Sequence, residues 1–98
     1  GAAYDDPADS SGQIRDARRI EYLRQHVLAA HRAIAGGVPL AGYFVWSLMD
    51  NFEWGHGYAK KFGLYAINPE TRDRIPRESA AWFRELVSSN GVVTEVTA

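Results

Sequence analysis

The chain contains no cysteine, no long apolar run and almost no net charge. Without cysteine there can be no disulfide, thiolate nucleophile or thiolate metal site, although the cellular compartment stays open. No apolar run reaches the roughly 20 residues needed to cross a bilayer, so we expect no membrane partner. The 11 lysine and arginine residues nearly balance the 12 aspartate and glutamate residues, giving a formal charge of -1. Because this charge creates no long-range attraction for polyanions, we expect no nucleic-acid partner.

The chain also lacks an initiator methionine, since it opens at Gly1-Ala2-Ala3-Tyr4. We therefore expect a truncated start. The residues that follow, YDDPADSSG over 4–12, are rich in turn formers and predict a surface loop.

A first helix is predicted from about Asp16 to Ala35, with Asp16 as its N-cap and Gly36-Gly37 as its end. Apolar residues recur there at spacings of three and four, the pattern of an amphipathic helix: Ala17, Ile20, Leu23, Val27, Ala30 and Ile34. Arginines fill other positions of the same segment, and we interpret them as a solvated outer face rather than a nucleic-acid patch: Arg15, Arg18, Arg19, Arg24 and Arg32.

The segment Val38 to Leu48, VPLAGYFVWSL, is almost continuously apolar, which is typical of a parallel strand buried on both faces. The helix before it has the length and position of a crossover in a βα repeat. A lone strand leaves its own N–H and C=O groups unpaired, so its neighbours must come from elsewhere. The mixed aromatic, charged and glycine residues of 50–63 predict a long loop at the end of this strand.

The remaining third of the chain predicts a short strand at Leu64 to Ile67, a turn over 68–74, and a second helix opened by Ile75-Pro76. Trp82 and Phe83 are expected to pack this helix against the sheet. We expect Asn90-Gly91 to end the helix and residues 92–98 to form a frayed tail.

The loop and the end of the strand carry the groups that carbohydrate binding requires. An aromatic face stacks on the C–H side of a sugar ring, and carboxylates accept its hydroxyl hydrogens. Trp46, Trp54 and Phe62 offer such faces, and Glu53 is the charged acceptor. Composition alone leaves alternatives open, because Trp46 could be a core aromatic and a glutamate such as Glu53 is more often a solvated surface group.

Neighbouring polar residues are interpreted more conservatively. Asp50 and Asn51 leave a strand, where short polar side chains usually fix a turn, so we assign them a structural role. The histidines His26, His31 and His56 have no ligand-like spacing, and we expect no metal site.

The motif WSLMDNFEW at 46–54, followed by Gly57-Tyr58 and Phe62-Gly63-Leu64, resembles the C-terminal signature of family 1 β-glucosidases and β-galactosidases. The likeness extends over nearly the whole chain, including Arg18 to Leu23 and Trp82-Phe83. Members of this family are (β/α)₈ TIM barrels, an α/β fold. The resemblance implies that residues 1–98 are the C-terminal portion of a single barrel domain, comprising its helix 7, strand 8 and helix 8.

The resemblance also implies that this chain carries a sugar-binding site, while the catalytic residues lie in the polypeptide upstream of it. Trp46 matches the tryptophan that stacks on the innermost sugar, Glu53 the carboxylate that bridges O4 and O6, Trp54 a donor to O3 or O4, and Phe62 an apolar wall near O6. Gly1 resembles the glycine of the Glu-Asn-Gly motif that carries the nucleophile. Both catalytic carboxylates therefore lie upstream, and no catalytic residue is expected in this chain.

The implied activity is retaining hydrolysis of a terminal β-D-glycosyl residue, with no cofactor. Glu53 would repel a phosphate at O6 and Phe62 lacks a phosphate-binding hydroxyl, which favours a neutral β-glycoside over a 6-phosphosugar. The expected partners are this substrate and the upstream remainder of the barrel as a separate chain. The alternative is a non-catalytic barrel fragment that self-associates or binds sugar weakly.

Overall fold

A computed structural model describes residues 1–51, 57 and 59–90. Along these residues the order of elements is helix α1 (Ala17–Ala35), strand β1 (Tyr65–Ile67), strand β2 (Arg74–Pro76) and helix α2 (Glu78–Ser89). The predicted glycone residues Glu53 and Trp54 and the predicted tail 92–98 lie outside the described residues.

Helix α1 confirms the prediction of a helix from about Asp16 to Ala35. It ends because the N–H groups of Gly36 and Gly37 bond back to the carbonyls of Arg32 and Ile34, and Gly37 then adopts a φ of +102°. A positive φ of this size is readily accessible only to glycine. The glycine pair therefore ends α1 as predicted.

The predicted strand over Val38 to Leu48 is wrong for the described chain, in which no strand is formed between residues 38 and 48. A strand forms only when its N–H and C=O groups pair with adjacent strands. Here the N–H groups of Val38 and Leu40 bond to nearby carbonyls instead, and the N–H of Ser47 pairs with the carbonyl of Phe62. Apolar side chains of this segment stay in solvent instead, and Phe44 is 96% exposed.

The short strand predicted at Leu64 to Ile67 is confirmed as β1, which pairs antiparallel with β2 across the predicted turn. The prediction that Ile75-Pro76 opens the second helix is wrong, since Pro76 is the last residue of β2 and α2 begins at Glu78. Proline is tolerated at the edge of a sheet because its missing N–H is not needed there. Asn90, in the left-handed conformation with a φ of 51°, ends α2 as predicted.

A small core holds these elements together. Leu23 of α1, Leu64 and Ala80 of α2 form a buried cluster. Partly buried side chains surround it, including the predicted packing residues Trp82 and Phe83 as well as Tyr22, Val45 and Tyr65. The core thus joins both helices to the segment that leads into β1.

Candidate functional site

Trp46 and Phe62 lie at the starts of two segments, residues 46–50 and 62–65, that pair in parallel. We call these segments the parallel pair. The N–H of Ser47 donates to the carbonyl of Phe62 at 3.3 Å, and the N–H of Leu64 donates to the carbonyl of Ser47 at 3.0 Å. Two further bonds continue the pattern, from Tyr65 to Leu48 and from Asp50 to Tyr65. This alternation is the hydrogen-bond pattern of parallel strands.

The two aromatic residues of the parallel pair differ in exposure. Trp46 is 57% exposed, and Phe62 is half-buried. The peptide bond between Trp46 and Ser47 is cis. The exposed indole of Trp46 provides an apolar face on which the C–H side of a sugar ring could stack. Glu53 and Trp54, the other two predicted site residues, lie outside the described residues.

Gly63 is the residue that allows the two segments to approach so closely. A Cβ atom at this position would overlap the backbone of Met49 and Asp50 and would lie 2.6 Å from the carbonyl oxygen of Tyr65. These are backbone atoms, so the clash could not be relieved by rotating a side chain. Glycine is therefore required at position 63 because the neighbouring backbone leaves no room for a Cβ atom, and not because of a positive φ.

We expect Gly63→Ala to destabilise the full-length protein by about 1–3 kcal/mol, the usual cost of inserting a methyl group into a filled space. Gly36→Ala is the matched control, since its added Cβ would be 3.4 Å from its nearest neighbour, the Arg32 carbonyl. Urea denaturation of both variants measures the difference. Equal midpoints for the two variants would contradict this account of Gly63.

Asp50 and Arg77 join the parallel pair to the start of α2. The Arg77 guanidinium donates through Nη1 and Nη2 to the two carboxylate oxygens of Asp50 at 2.8 and 2.9 Å. Arg77 Nη1 also donates to the carbonyl of Gly63 at 2.6 Å, and Asp50 Oδ1 accepts the Gly63 N–H at 2.9 Å. Asn51 donates to Ser47 Oγ and to the Met49 carbonyl. These bonds agree with the structural role predicted for Asp50 and Asn51.

A second buried ion pair lies at the start of α1. Asp16 is fully buried, and its Oδ2 accepts from Arg19 Nη1 at 2.7 Å. The same carboxylate accepts from the N–H of Ser79 at 2.8 Å and from its hydroxyl at 2.5 Å. Arg19 Nη2 donates in turn to the carbonyls of Tyr4 and Lys61. This network joins four separate parts of the chain.

One prediction about this region is right in position but wrong in its hydrogen bond, and another is wrong. Asp16 occupies the N-cap position of α1 but makes no capping hydrogen bond there, because its carboxylate instead caps the first turn of α2 through Ser79. Arg19 does not belong to a solvated face, since it is 1% exposed. The physical reason is its pairing with Asp16 at a spacing of three residues, which allows both charges to be buried together.

The prediction missed Arg19, Arg77 and Ser79 as residues that organise the site. The Asp16 and Arg19 pair had a local signal, since residues three apart on a helix are neighbours. Arg77 had none, because its partner Asp50 lies 27 residues away.

The resolved pKa shifts lie outside the parallel pair. Burial raises the pKa of the Tyr43 hydroxyl, with a smaller contribution from Tyr22. Hydrogen bonds from Ser11 and Arg15 lower the pKa of Asp9 to about 2. Neither Tyr43 nor Asp9 belongs to the predicted glycone site.

The described residues contain no group of three or more histidine, cysteine, aspartate or glutamate side chains that could hold a metal ion. Within that same part of the chain, no helix is long and apolar enough to cross a membrane. An apolar groove of about 530 Å³ is lined by residues of both helices and of the segment between them, including Val27, Leu40 and Phe83.

Comparison with known proteins gives the family. Beta-glucosidase A from Thermotoga maritima is 48% identical over 92 residues, covering 94% of this chain and 21% of that protein. A 6-phospho-beta-galactosidase from Staphylococcus epidermidis is 42% identical over 93 residues, covering 94% of this chain and 20% of that protein. The chain therefore spans about a fifth of the length of these relatives.

Solved structures give the same result. A family 1 β-glucosidase from Thermotoga maritima superposes with a TM-score of 0.93 at 47% identity, covering 95% of this chain and 21% of the other. Other structures of a β-glucosidase from that organism are complexes with galacto-hydroximolactam and with castanospermine. The described fold is thus that of a portion of such an enzyme, and is not itself a barrel. The family model of glycosyl hydrolase family 1 matches residues 1–92, and the chain belongs to that family.

Proposed function

We propose that this chain is the C-terminal part of a retaining β-glycosidase and supplies its glycone-binding subsite. The observation that carries this proposal is the parallel pairing of the segments that begin with the exposed Trp46 and with Phe62, in a chain that is 48% identical to a β-glucosidase. Trp46 would stack on the sugar and Phe62 would form the apolar wall near O6. Glu53 would bridge O4 and O6, and Trp54 would donate to O3 or O4.

Within the whole barrel, α1 would be the seventh helix and α2 the eighth helix. Residues 38–48, which form no strand in the described chain, would become the eighth strand when neighbouring strands pair with them. The surface of this chain supports that assignment. Several large apolar side chains of the described residues are exposed, among them Val38, Leu40, Phe44 and Leu48. The remainder of the barrel would supply the strands and helices that cover them.

Neither catalytic carboxylate is assigned to this chain. In a retaining glycosidase two carboxyl groups lie about 5 Å apart, one forming the glycosyl-enzyme intermediate and the other acting as acid and then as base. Gly1 lies against the carbonyl of Trp46, so closely that a Cβ on Gly1 would overlap it. A nucleophile in a Glu-Asn segment directly before Gly1 would therefore enter the site beside the stacking tryptophan.

The substrate class we propose is a neutral β-glycoside. Glu53 is a carboxylate and would repel a phosphate group at O6, and Phe62 offers no hydroxyl to bind one. A phosphorylated substrate has to be considered because one relative of this chain is a 6-phospho-beta-galactosidase from Staphylococcus epidermidis. The full-length enzyme should hydrolyse an aryl β-glucoside and leave the corresponding 6-phosphoglycoside largely intact.

The test of the glycone site is the Trp46→Ala variant of the full-length enzyme. We expect it to bind castanospermine roughly tenfold more weakly, since it loses both the stacking face and the indole N–H donor. Trp46→Phe is the matched control, because it keeps an aromatic face and should lose less. Isothermal titration calorimetry gives both constants. An unchanged dissociation constant for Trp46→Ala would mean that Trp46 only packs against the protein and does not contact the sugar.

A second candidate function is a non-catalytic fragment that self-associates or binds sugar weakly. The exposed apolar side chains of Val38, Leu40 and Phe44 favour it, since exposed apolar surface tends to associate with a second copy. Intact mass of the natural sample distinguishes the two, because a co-purifying polypeptide with the upstream Glu-Asn motif supports the enzyme.

A further inference from the structure

Phe62 lies between two carbonyl groups, each held by a buried arginine. Arg19 Nη2 donates to the carbonyl of Lys61, and Arg77 Nη1 donates to the carbonyl of Gly63, both at 2.6 Å. Arg19 and Arg77 are 1% and 4% exposed. The backbone on both sides of Phe62 is thus fixed from the starts of the two helices.

Each arginine is itself oriented by a carboxylate. Asp16 accepts from Arg19 at 2.7 Å, and Asp50 accepts from Arg77 through both of its oxygens. A guanidinium held by two parallel hydrogen bonds has a defined plane, so its remaining donor points in a defined direction. The Gly63 carbonyl therefore meets a rigid donor rather than a mobile one.

The Asp50 and Arg77 pair also connects Phe62 with Trp46. Asp50 belongs to the segment that begins with Trp46, and its Oδ1 accepts the N–H of Gly63, the residue after Phe62. Gly63 is consequently bonded to the pair through both its N–H and its carbonyl. A displacement of Arg77 would move Phe62 relative to Trp46.

We propose that Arg19 and Arg77 act as a two-sided clamp that positions Phe62 for recognition of the hydroxymethyl group of a hexose. They are positioning residues, because they act on the sugar only through Phe62. This inference rests on the proposed glycone site, in which Phe62 forms the wall near O6. Its consequence is a specific one: the clamp sets the preference for a hexoside over a pentoside that lacks C6.

A purely structural role for the clamp has a different consequence. Loss of folded protein lowers the turnover of every substrate by the same factor, so the ratio of two kcat/KM values stays constant. Misplacement of Phe62 weakens only the contacts made by C6 and O6. The ratio for 4-nitrophenyl β-D-glucoside over 4-nitrophenyl β-D-xyloside therefore separates positioning from stability.

The experiment compares variants of the full-length enzyme that contains this sequence. We expect Arg77→Met to lower the glucoside-to-xyloside ratio of kcat/KM about fivefold, mainly by raising KM for the glucoside. A change of this size corresponds to the loss of one to two ordinary hydrogen bonds. Arg77→Lys keeps a cation that can reach Asp50 and should recover at least half of the lost ratio. Arg15→Met is the control. Arg15 is exposed and, among the residues that the structure describes, it bonds the nearby Asp9 and Gln13, so its replacement should leave the ratio unchanged.

Two further variants make the result decisive. Phe62→Ala should itself lower the ratio, and if it does not, or if the wild type hydrolyses neither substrate, the proposed site has failed. If Phe62→Ala lowers the ratio while folded Arg77→Met keeps it, the clamp alone is overturned. Should Arg77→Met not fold, Asp50→Asn decides instead, because it is nearly isosteric and weakens the same pair. A wild-type ratio in folded Asp50→Asn would overturn the clamp.

Discussion

We expect the Glu53→Ala variant of the full-length enzyme to lose at least roughly tenfold in kcat/KM on an aryl β-glucoside. In the proposed site Glu53 accepts hydrogen bonds from two hydroxyls of the sugar, and each hydrogen bond to a charged group contributes about 1.5–3 kcal/mol. A loss of 1.4 kcal/mol in transition-state binding is about tenfold in rate. Because these bonds tighten as the ring flattens, kcat should fall along with kcat/KM.

The control for this variant is Glu85→Ala, which removes an exposed glutamate of α2 that has no part in the proposed site. Steady-state kinetics on both variants, with circular dichroism to verify folding, measures the difference. If Glu53 is only a solvated carboxylate, its removal changes kcat/KM by less than about twofold, as surface substitutions usually do. That result would remove Glu53 from the glycone site.

The elements that the sequence predicts well are those whose signal is local. The apolar period from Ala17 to Ile34 needs only the helix itself, and α1 follows it. The glycine pair that ends α1 and Asn90 that ends α2 are also local signals, since each depends on the conformations open to one residue. The strand from 38 to 48 failed for the opposite reason. Its composition indicates burial on both faces, but the residues needed to cover it are absent from this chain.

The polar framework of the site could not be predicted, because it is made by distant residues. Asp16 was predicted to cap α1, yet it bonds Ser79, which is 63 residues away. Capping the nearest helix and capping a distant one require the same residue type, so the sequence does not separate them. Likewise, the residues next to Arg77 in the sequence do not indicate that it pairs with Asp50. The roles of Trp46 and Phe62 come from a resemblance, and their relative placement depends on the register of the parallel pair, which the sequence does not give.

The prediction with the largest effect concerns the chain by itself. The 98-residue polypeptide should hydrolyse no aryl β-glycoside, and mixing it with a polypeptide that supplies the upstream barrel and ends in the Glu-Asn motif should restore turnover. Nucleophilic catalysis needs a carboxylate at the anomeric carbon. None of Glu53, Asp50 and His56 is assigned to that position, and Asp50 is already held by Arg77 on both of its oxygens.

Association with the rest of the barrel should be favourable because it buries apolar surface that the isolated chain exposes. Burying apolar area contributes about 25 cal/mol per Å², and the segment 38–45, which forms no strand here, can pair with neighbouring strands. By itself the chain should therefore be poorly folded or self-associated, which circular dichroism and sedimentation velocity measure. Turnover by the purified chain would mean that a catalytic carboxylate lies within it, with Glu53 the first candidate. A sharp cooperative unfolding transition from a monomer would mean that these residues form a complete domain, because only a chain with its own closed core unfolds in that way.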